Sequence, residues 1–277
     1  MNYTFSILHP TDFSEASQLA FVHALKIALT CGTKLTILRF NTKNLPKDSK
    51  NYPPVRETLE RWGYLPKGSG RAAVYNKLRL KVEKINMNNS NPHRSIIRYI
   101  ERQYIDLTVL SVQSQIIYPN SISYNVFRFL SKTTQDQFLF IPNRSRGFVS
   151  YYDGSISLKN ILIPVNQNFD PTSAIKEAVA LIKALGCGEE KITFIYTGDM
   201  EWWPEGGFPE FSSCQWAHIH IKESAIDQII ALSYKMPADL IITTTRAKKG
   251  FGNSNQQDIT EDLLQNASCP ILTIVDS

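Results

Sequence analysis

Short apolar runs alternate with amphipathic stretches along the whole chain. Phe5 to His9 is long enough for a buried strand. Thr11-Asp12-Phe13-Ser14 reads as a turn. In it Asp12 or Ser14 can cap a helix whose apolar stripe is Ala16, Ala20, Ile27 and Ala28. Gly32 falls just past that helix, where a left-handed cap is cheap. A strand is predicted at Lys34 to Phe40, a polar, Pro-rich loop at Asn41 to Pro54, and a helix at Val55 to Trp62. Leu80 to Ile85 is a strand, Pro92 to Tyr104 a helix with Pro in its first turn, and Leu107 to Ser111 a strand. Ser121 to Ser131 is helical and Phe138 to Ile141 is a strand.

The order then starts again. Strands are predicted at Asn160 to Pro164, Ile192 to Tyr196, His218 to Ile221, Leu240 to Thr243 and Ile271 to Val275. Helices are predicted at Pro171 to Leu185 (Asp170 as cap, Gly186 as end), Ser224 to Lys235 and Ile259 to Gln265. Gly198 to Gln215 is a loop crowded with Trp202, Trp203, Phe208 and Phe211, with Trp216 just beyond. These rings cover a core or face a partner. Strands alternating with helices imply an α/β chain with parallel sheets. Ile7-Leu8-His9-Pro10 matches Ile161-Leu162-Ile163-Pro164, an offset of 154 positions. Asp106-Leu107-Thr108-Val109-Leu110 matches Asp239-Leu240-Ile241-Ile242-Thr243, an offset of 133. Two copies of one unit follow, the second about 21 residues shorter in its middle. The units are 1–142 and 159–277, joined by a linker at 143–158.

Composition adds little except in charge. At 277 residues with 43% hydrophobic content, the chain can bury a sizeable core. It has no apolar run of transmembrane length and no signal-peptide pattern at its start, so a cytoplasmic location is expected. Cys31, Cys187, Cys214 and Cys269 are far apart and read as reduced thiols. Residues 1–146 hold 21 Lys+Arg against 9 Asp+Glu, whereas residues 147–277 hold 9 against 16. No nucleic-acid motif accompanies the basic half. Its charge is therefore assigned to attraction by the chain's own acidic half, and no nucleic acid or membrane partner is expected.

Ile7-Leu8-His9-Pro10-Thr11-Asp12-Phe13-Ser14-Glu15-Ala16-Ser17 resembles the opening of the universal stress protein family. Asp239-Leu240-Ile241-Ile242 and Ser268-Cys269-Pro270-Ile271-Leu272-Thr273-Ile274 resemble its last two strands and their lead-in. The segments 55–63 and 146–149 and the Gly198-Asp199 loop resemble tandem members. The resemblance implies two flavodoxin-like (Rossmann-like) sandwiches in tandem, docked as an internal pseudo-dimer through their last strands.

One branch of that family binds ATP, through an Asp after the first strand and a glycine-rich loop after the fourth. Glycines let backbone N–H groups approach phosphates. The matching positions here are Pro10, Thr11, Asp12, Ser111, Ser114 and Asn125 in the first unit. In the second they are Val165, Asn166, Thr244, Ala247, Gly250, Gln257 and Asp258. Most loop glycines are gone, Tyr124 adds bulk, and Asn166 stands where the first unit has Asp12. A carboxylate at Asp258 would oppose a triphosphate by about 4 kcal/mol at 4 Å with an effective dielectric near 20. Gly250 and Gly252, with Arg246, Lys248 and Lys249, offer a displaced phosphate loop; a surface loop is the simpler account.

Cys214, His218 and His220 have metal-ligand chemistry but no evident fourth ligand, so a half-exposed strand is the simpler account there too. His9 would need a nucleophile or carboxylate partner to act as a base. No catalytic residues and no cofactor are assigned. The expected function is a non-enzymatic stress-response scaffold or ligand-binding protein with degenerate nucleotide loops, acting on a protein partner or small ligand. ATP binding, as a switch with at most slow hydrolysis, is the alternative. A pseudo-dimeric monomer or a homodimer fits either.

Overall fold

The computed structural model describes residues 5–11, 15–40, 53–87, 92–112, 137–143, 145–166, 172–187, 191–197, 215–221, 226–246 and 259–276. The first half runs β1 (Ser6–Thr11), α1 (Glu15–Cys31), β2 (Lys34–Phe40), α2 (Val55–Arg61), α3 (Ala73–Leu78), β3 (Lys81–Met87), α4 (Pro92–Gln103), β4 (Leu107–Val112) and β5 (Gln137–Pro142). The second runs β6 (Asn160–Asn166), α5 (Thr172–Ala184), β7 (Lys191–Thr197), β8 (Gln215–Ile221), α6 (Ile226–Lys235), β9 (Leu240–Arg246), α7 (Ile259–Asn266) and β10 (Ile271–Asp276). The predicted strands are all present, most of them extended by a residue or two; β8 starts three residues earlier than its pattern suggested. Helix α3 was not predicted. It buries no residue, so it leaves no apolar period to read. The predicted helix at 121–131 and the aromatic loop from Gly198 lie outside the described residues.

All ten strands form one sheet, in the order β3-β2-β1-β4-β5-β10-β9-β6-β7-β8. Each half therefore carries the 3-2-1-4-5 order of doubly wound α/β sheets. Every pairing is parallel except that between β5 and β10, which is antiparallel, with Phe140 opposite Ile271 and Phe138 opposite Thr273. The seam gives each half's innermost strand a partner. Two edges then remain, at β3 and β8, rather than four.

Helices cover both faces, so the strands are apolar on both sides rather than alternating. On one face α1, α2 and α5 pack over Ile7, Ile37, Val109, Ile163 and Ile242. On the other α4, α6 and α7 pack over Leu8, Leu110, Phe140 and Ile241. Each cluster runs through both halves, and α1 touches α5. The halves thus share their core on each side of the seam.

An aspartate repeats at the amino end of both first strands. Asp106 Oδ2 accepts the backbone N–H of Ser6 (2.6 Å) and its hydroxyl (3.2 Å). Asp239 Oδ2 accepts the N–H groups of Lys159 (2.7 Å) and Asn160 (3.0 Å). These are the aspartates that the internal repeat pairs in the sequence. Both close the unpaired backbone at a strand start.

Cys269 sits just before β10, 3% exposed. Burial, then the nearby Asp239 charge, pushes its thiol up to about 12. Iodoacetamide at pH 8 should leave Cys269 intact in the native protein and alkylate it fully in urea, because the thiolate is the nucleophile. Peptide mass spectrometry showing native labelling within an hour would contradict the closed core at this corner.

Candidate functional site

In open α/β sheets the ligand crevice lies beyond the carboxyl ends of the strands, where the strand order reverses. Here that point falls between β1 and β4, and again between β6 and β9. The backbone opens at both places. β1 pairs with β4 only at Ile7↔Leu107 and Leu8↔Thr108, while its pairing with β2 continues to Thr11↔Arg39. β6 pairs with β9 only at Ile161↔Leu240 and Leu162↔Ile241, while its pairing with β7 continues to Asn166↔Thr197. Pro10 and Pro164 lie just past the last paired residues. Neither can donate to a ladder, so each suits a strand side that has stopped pairing.

The first crevice is lined by a small polar set. Thr11 Oγ1 is 3.0 Å from Ser17 Oγ, on the third residue of α1, and both are buried. Ser111 is half-buried near the end of β4. His9 is fully buried, and its Nδ1–H donates to the Val109 carbonyl at 3.0 Å, where β1 and β4 have parted. That bond sets the tautomer of His9 at the point where the two strands part. Arg39, 5% exposed, stands opposite Thr11 in the register of β1 with β2. It was missed in the sequence, although an arginine inside the run Leu35 to Phe40 is a visible signal.

The second crevice places Val165 and Asn166 at the end of β6 and Thr244 on β9, opposite Ile274. The structure thus brings Pro10, Thr11 and Ser111 to one strand end, and Val165, Asn166 and Thr244 to the other. Asp12, Ser114, Tyr124, Asn125, Ala247, Gly250, Gln257 and Asp258 lie outside the described residues. So does Cys214. His218 and His220 fall on β8, opposite Phe194 and Tyr196. Among the described residues no group of three His, Cys, Asp or Glu is placed to hold a metal ion.

A second constellation lies in the predicted linker. Residues 145–158 form an ordered strap, closed into a small hairpin by the Val149–Ile156 bridge. Asp153 accepts the N–H (3.0 Å) and hydroxyl (2.8 Å) of Ser155 at its tip, and hydrogen bonds from Ser150 and Ser155 hold its carboxyl down to about 2. The strap is pinned to α1 by His23. The His23 Nδ1–H donates to the Leu19 carbonyl at 2.7 Å, and Nε2 accepts the N–H groups of Phe148 (3.0 Å) and Val149 (3.2 Å). Gly147 has φ +68°, and a Cβ there would lie 2.4 Å from His23 Cε1. On α2, Trp62 Nε1–H donates to the Tyr151 carbonyl at 3.1 Å, and Arg61 stacks 4.1 Å above the Tyr151 ring. At the far end Arg146 reaches Asp239 of the second half at 3.2 Å. The segment 55–63 thus meets the strap at Tyr151 and Gly154, while 147–149 meets α1 at His23.

Three solved structures of similar fold span nearly the whole chain. A universal stress protein from Archaeoglobus fulgidus DSM 4304 is 15% identical, with 99% of this chain and 100% of that chain covered and a TM-score of 0.60. A functionally unknown protein from Pseudomonas aeruginosa PAO1 is 13% identical, covering 99% and 93%, with a TM-score of 0.59. The cytoplasmic domain of a prokaryotic cation chloride cotransporter is 9% identical, covering 99% and 96%, with a TM-score of 0.53. At these identities the likeness defines a fold: the chain has the α/β architecture found in universal stress proteins. No family model matches the sequence, and no curated protein does. Among the described residues, no helix is long and apolar enough to cross a membrane.

Proposed function

We propose that this chain is a tandem protein of the universal stress type, with units 1–142 and 159–277 joined by 143–158, and that it works by binding rather than by catalysis. The repeated strand order and the repeated strand-start aspartates support the tandem reading. The observation that carries the binding reading is the pair of split strand ends. Each opens a crevice at the topological switch point, and each has a hydroxyl residue, Ser111 or Thr244, where a phosphate-binding loop would begin with glycine. A Cβ at that position keeps the backbone from closing on a phosphate. The crevices fit a small polar ligand.

Freshly purified protein should release no stoichiometric nucleotide on denaturation, and ATP at millimolar concentration should leave the melting temperature unchanged. Either near-stoichiometric release or a saturable rise in melting temperature would replace this reading with a nucleotide-binding switch. In that case Asp12→Ala, set against Asn166→Ala, would show which unit holds the nucleotide.

A further inference from the structure

We propose that the outer edge of the first half is a docking surface for single-stranded nucleic acid, gripped by the exposed cations Lys67, Arg71, Lys77, Lys81 and Lys84 around the exposed ring of Tyr75.

The charge is concentrated. Residues 61–82 contain six Lys+Arg and no Asp or Glu. All six cations are exposed, as is Lys84. Their carrier is an outward-facing layer: α3 buries none of its residues, and Tyr75 on it is 55% exposed. Helix α3 lies against β3, the edge strand, so Tyr75 and Lys77 border an edge from which Lys84 projects on the α3 side and Lys81 on the other. The nearby glutamates have cation partners, and Glu57, 3.7 Å from Arg56, also bears on Lys84. Glu83 pairs with Lys34 at 2.5 Å, and Glu60 pairs with Arg56 at 3.6 Å. Burial, then the Arg71 charge, holds the Lys84 ammonium below its usual range, with Glu57 opposing. A fold that crowds like charges gains stability when an anion settles among them.

The sequence left this charge to the chain's own acidic half. The strand order sets the described strands of that half apart from this edge. β3 is the outermost strand, five strand spacings from β10, or about 24 Å at ~4.8 Å per spacing. That is about three Debye lengths at physiological salt. Among the described residues, Glu177, Asp227, Asp239, Glu261, Asp262 and Asp276 lie on or beside elements beyond the seam, and Asp153 of the strap is taken up by Ser150 and Ser155. The aromatic content then selects among polyanions. The large apolar side chains exposed in this stretch are tyrosines, Tyr64 and Tyr75, while Trp62, Leu65 and Leu80 are buried. A bilayer surface calls for aliphatic or Trp anchors that insert. An exposed tyrosine within a ring of cations is instead what unpaired bases stack on while their phosphates are held.

The test is fluorescence anisotropy of a labelled 20-nucleotide single strand, titrated with the full chain between 50 and 200 mM salt. Five phosphate contacts predict a log–log salt slope of about −3.5. The triple variant Lys67→Ala, Arg71→Ala, Lys77→Ala should weaken binding at least tenfold and cut the slope to about −1.5. Tyr75→Ala should weaken it about tenfold with the slope kept. These side chains are exposed, and a circular dichroism melt confirms that each variant is folded. No saturable binding at 50 mM salt, or binding that ignores these variants, overturns the proposal. So does equal affinity for duplex with Tyr75→Ala silent. So does binding to phosphatidylserine vesicles without the oligonucleotide. Self-association lost in the triple variant, with no oligonucleotide binding, overturns it in favour of a second copy's acidic half.

Discussion

Replacing His23 with alanine should lower the unfolding free energy by roughly 3–5 kcal/mol. The imidazole is the shared acceptor for the N–H groups of Phe148 and Val149, both residues buried to 1% exposure. Its loss leaves two buried donors unpaired, at roughly 1–3 kcal/mol each, and a cavity beside Phe148, whose ring sits edge-on at 4.5 Å. The same site gives the stability a pH dependence with a definite sign. Burial lowers the His23 pKa from 6.5 to about 4, against the raising effect of the hydrogen bond to Leu19. Between those values the unfolded chain binds more protons than the native one, so stability rises with pH. The contribution is complete above pH 6.5 and is lost as the pH falls to about 4. It amounts to roughly 3 kcal/mol. Urea unfolding of wild type and His23→Ala across pH 4 to 7 isolates it from the carboxylates. The gap between the two proteins should shrink by that amount toward pH 4. A gap that stays constant, or one below about 1 kcal/mol at pH 7, would remove the imidazole from this role.

Asp239→Ala should cost roughly 3 kcal/mol, and Arg146→Ala no more than about 0.5. The two residues form an ion pair, but their surroundings differ. The Arg146 side chain is 79% exposed, so water screens the pair, while Asp239 is 6% exposed and also takes the Lys159 and Asn160 N–H groups. Both N–H groups lose this acceptor once the carboxylate is gone. Asp239→Asn keeps an acceptor oxygen and should recover more than half of the loss. Equal costs for Arg146→Ala and Asp239→Ala in chemical denaturation would show that the ion pair, and not the strand-start bonds, holds this corner.

The strands and most helices were legible because both faces of the sheet are buried, which writes each strand as a short apolar run. The likeness between the two halves of the sequence has a physical reason as well. Pro10 and Pro164 mark where the two splits begin, and Asp106 and Asp239 mark the two strand starts, so like positions carry like constraints. The strap was not legible. Arg144-Ser145-Arg146-Gly147 and Asp153-Gly154-Ser155 have the composition of a loose connection, and nothing local shows that Gly147 abuts a histidine 124 positions earlier. His23 itself reads as one polar residue in an apolar stripe. Pro10, Thr11, Ser111, Val165, Asn166 and Thr244, singled out through the resemblance, lie at or near strand ends. That Arg39 is buried opposite Thr11 depends on strand register, which the sequence does not state.

The antiparallel seam also orders events in time. β5 ends at Pro142, but its partner β10 begins at Ile271, the last of the ten strands to be made. At about 5–20 residues per second, the ribosome adds the intervening stretch over roughly ten seconds. Throughout that interval the nascent first half presents an open, apolar inner edge centred on Phe138 and Phe140. Two neighbouring chains on one message could pair through that edge before either is finished. Slow translation of the second half should therefore yield strand-exchanged oligomers, and fast translation should favour closure within one chain.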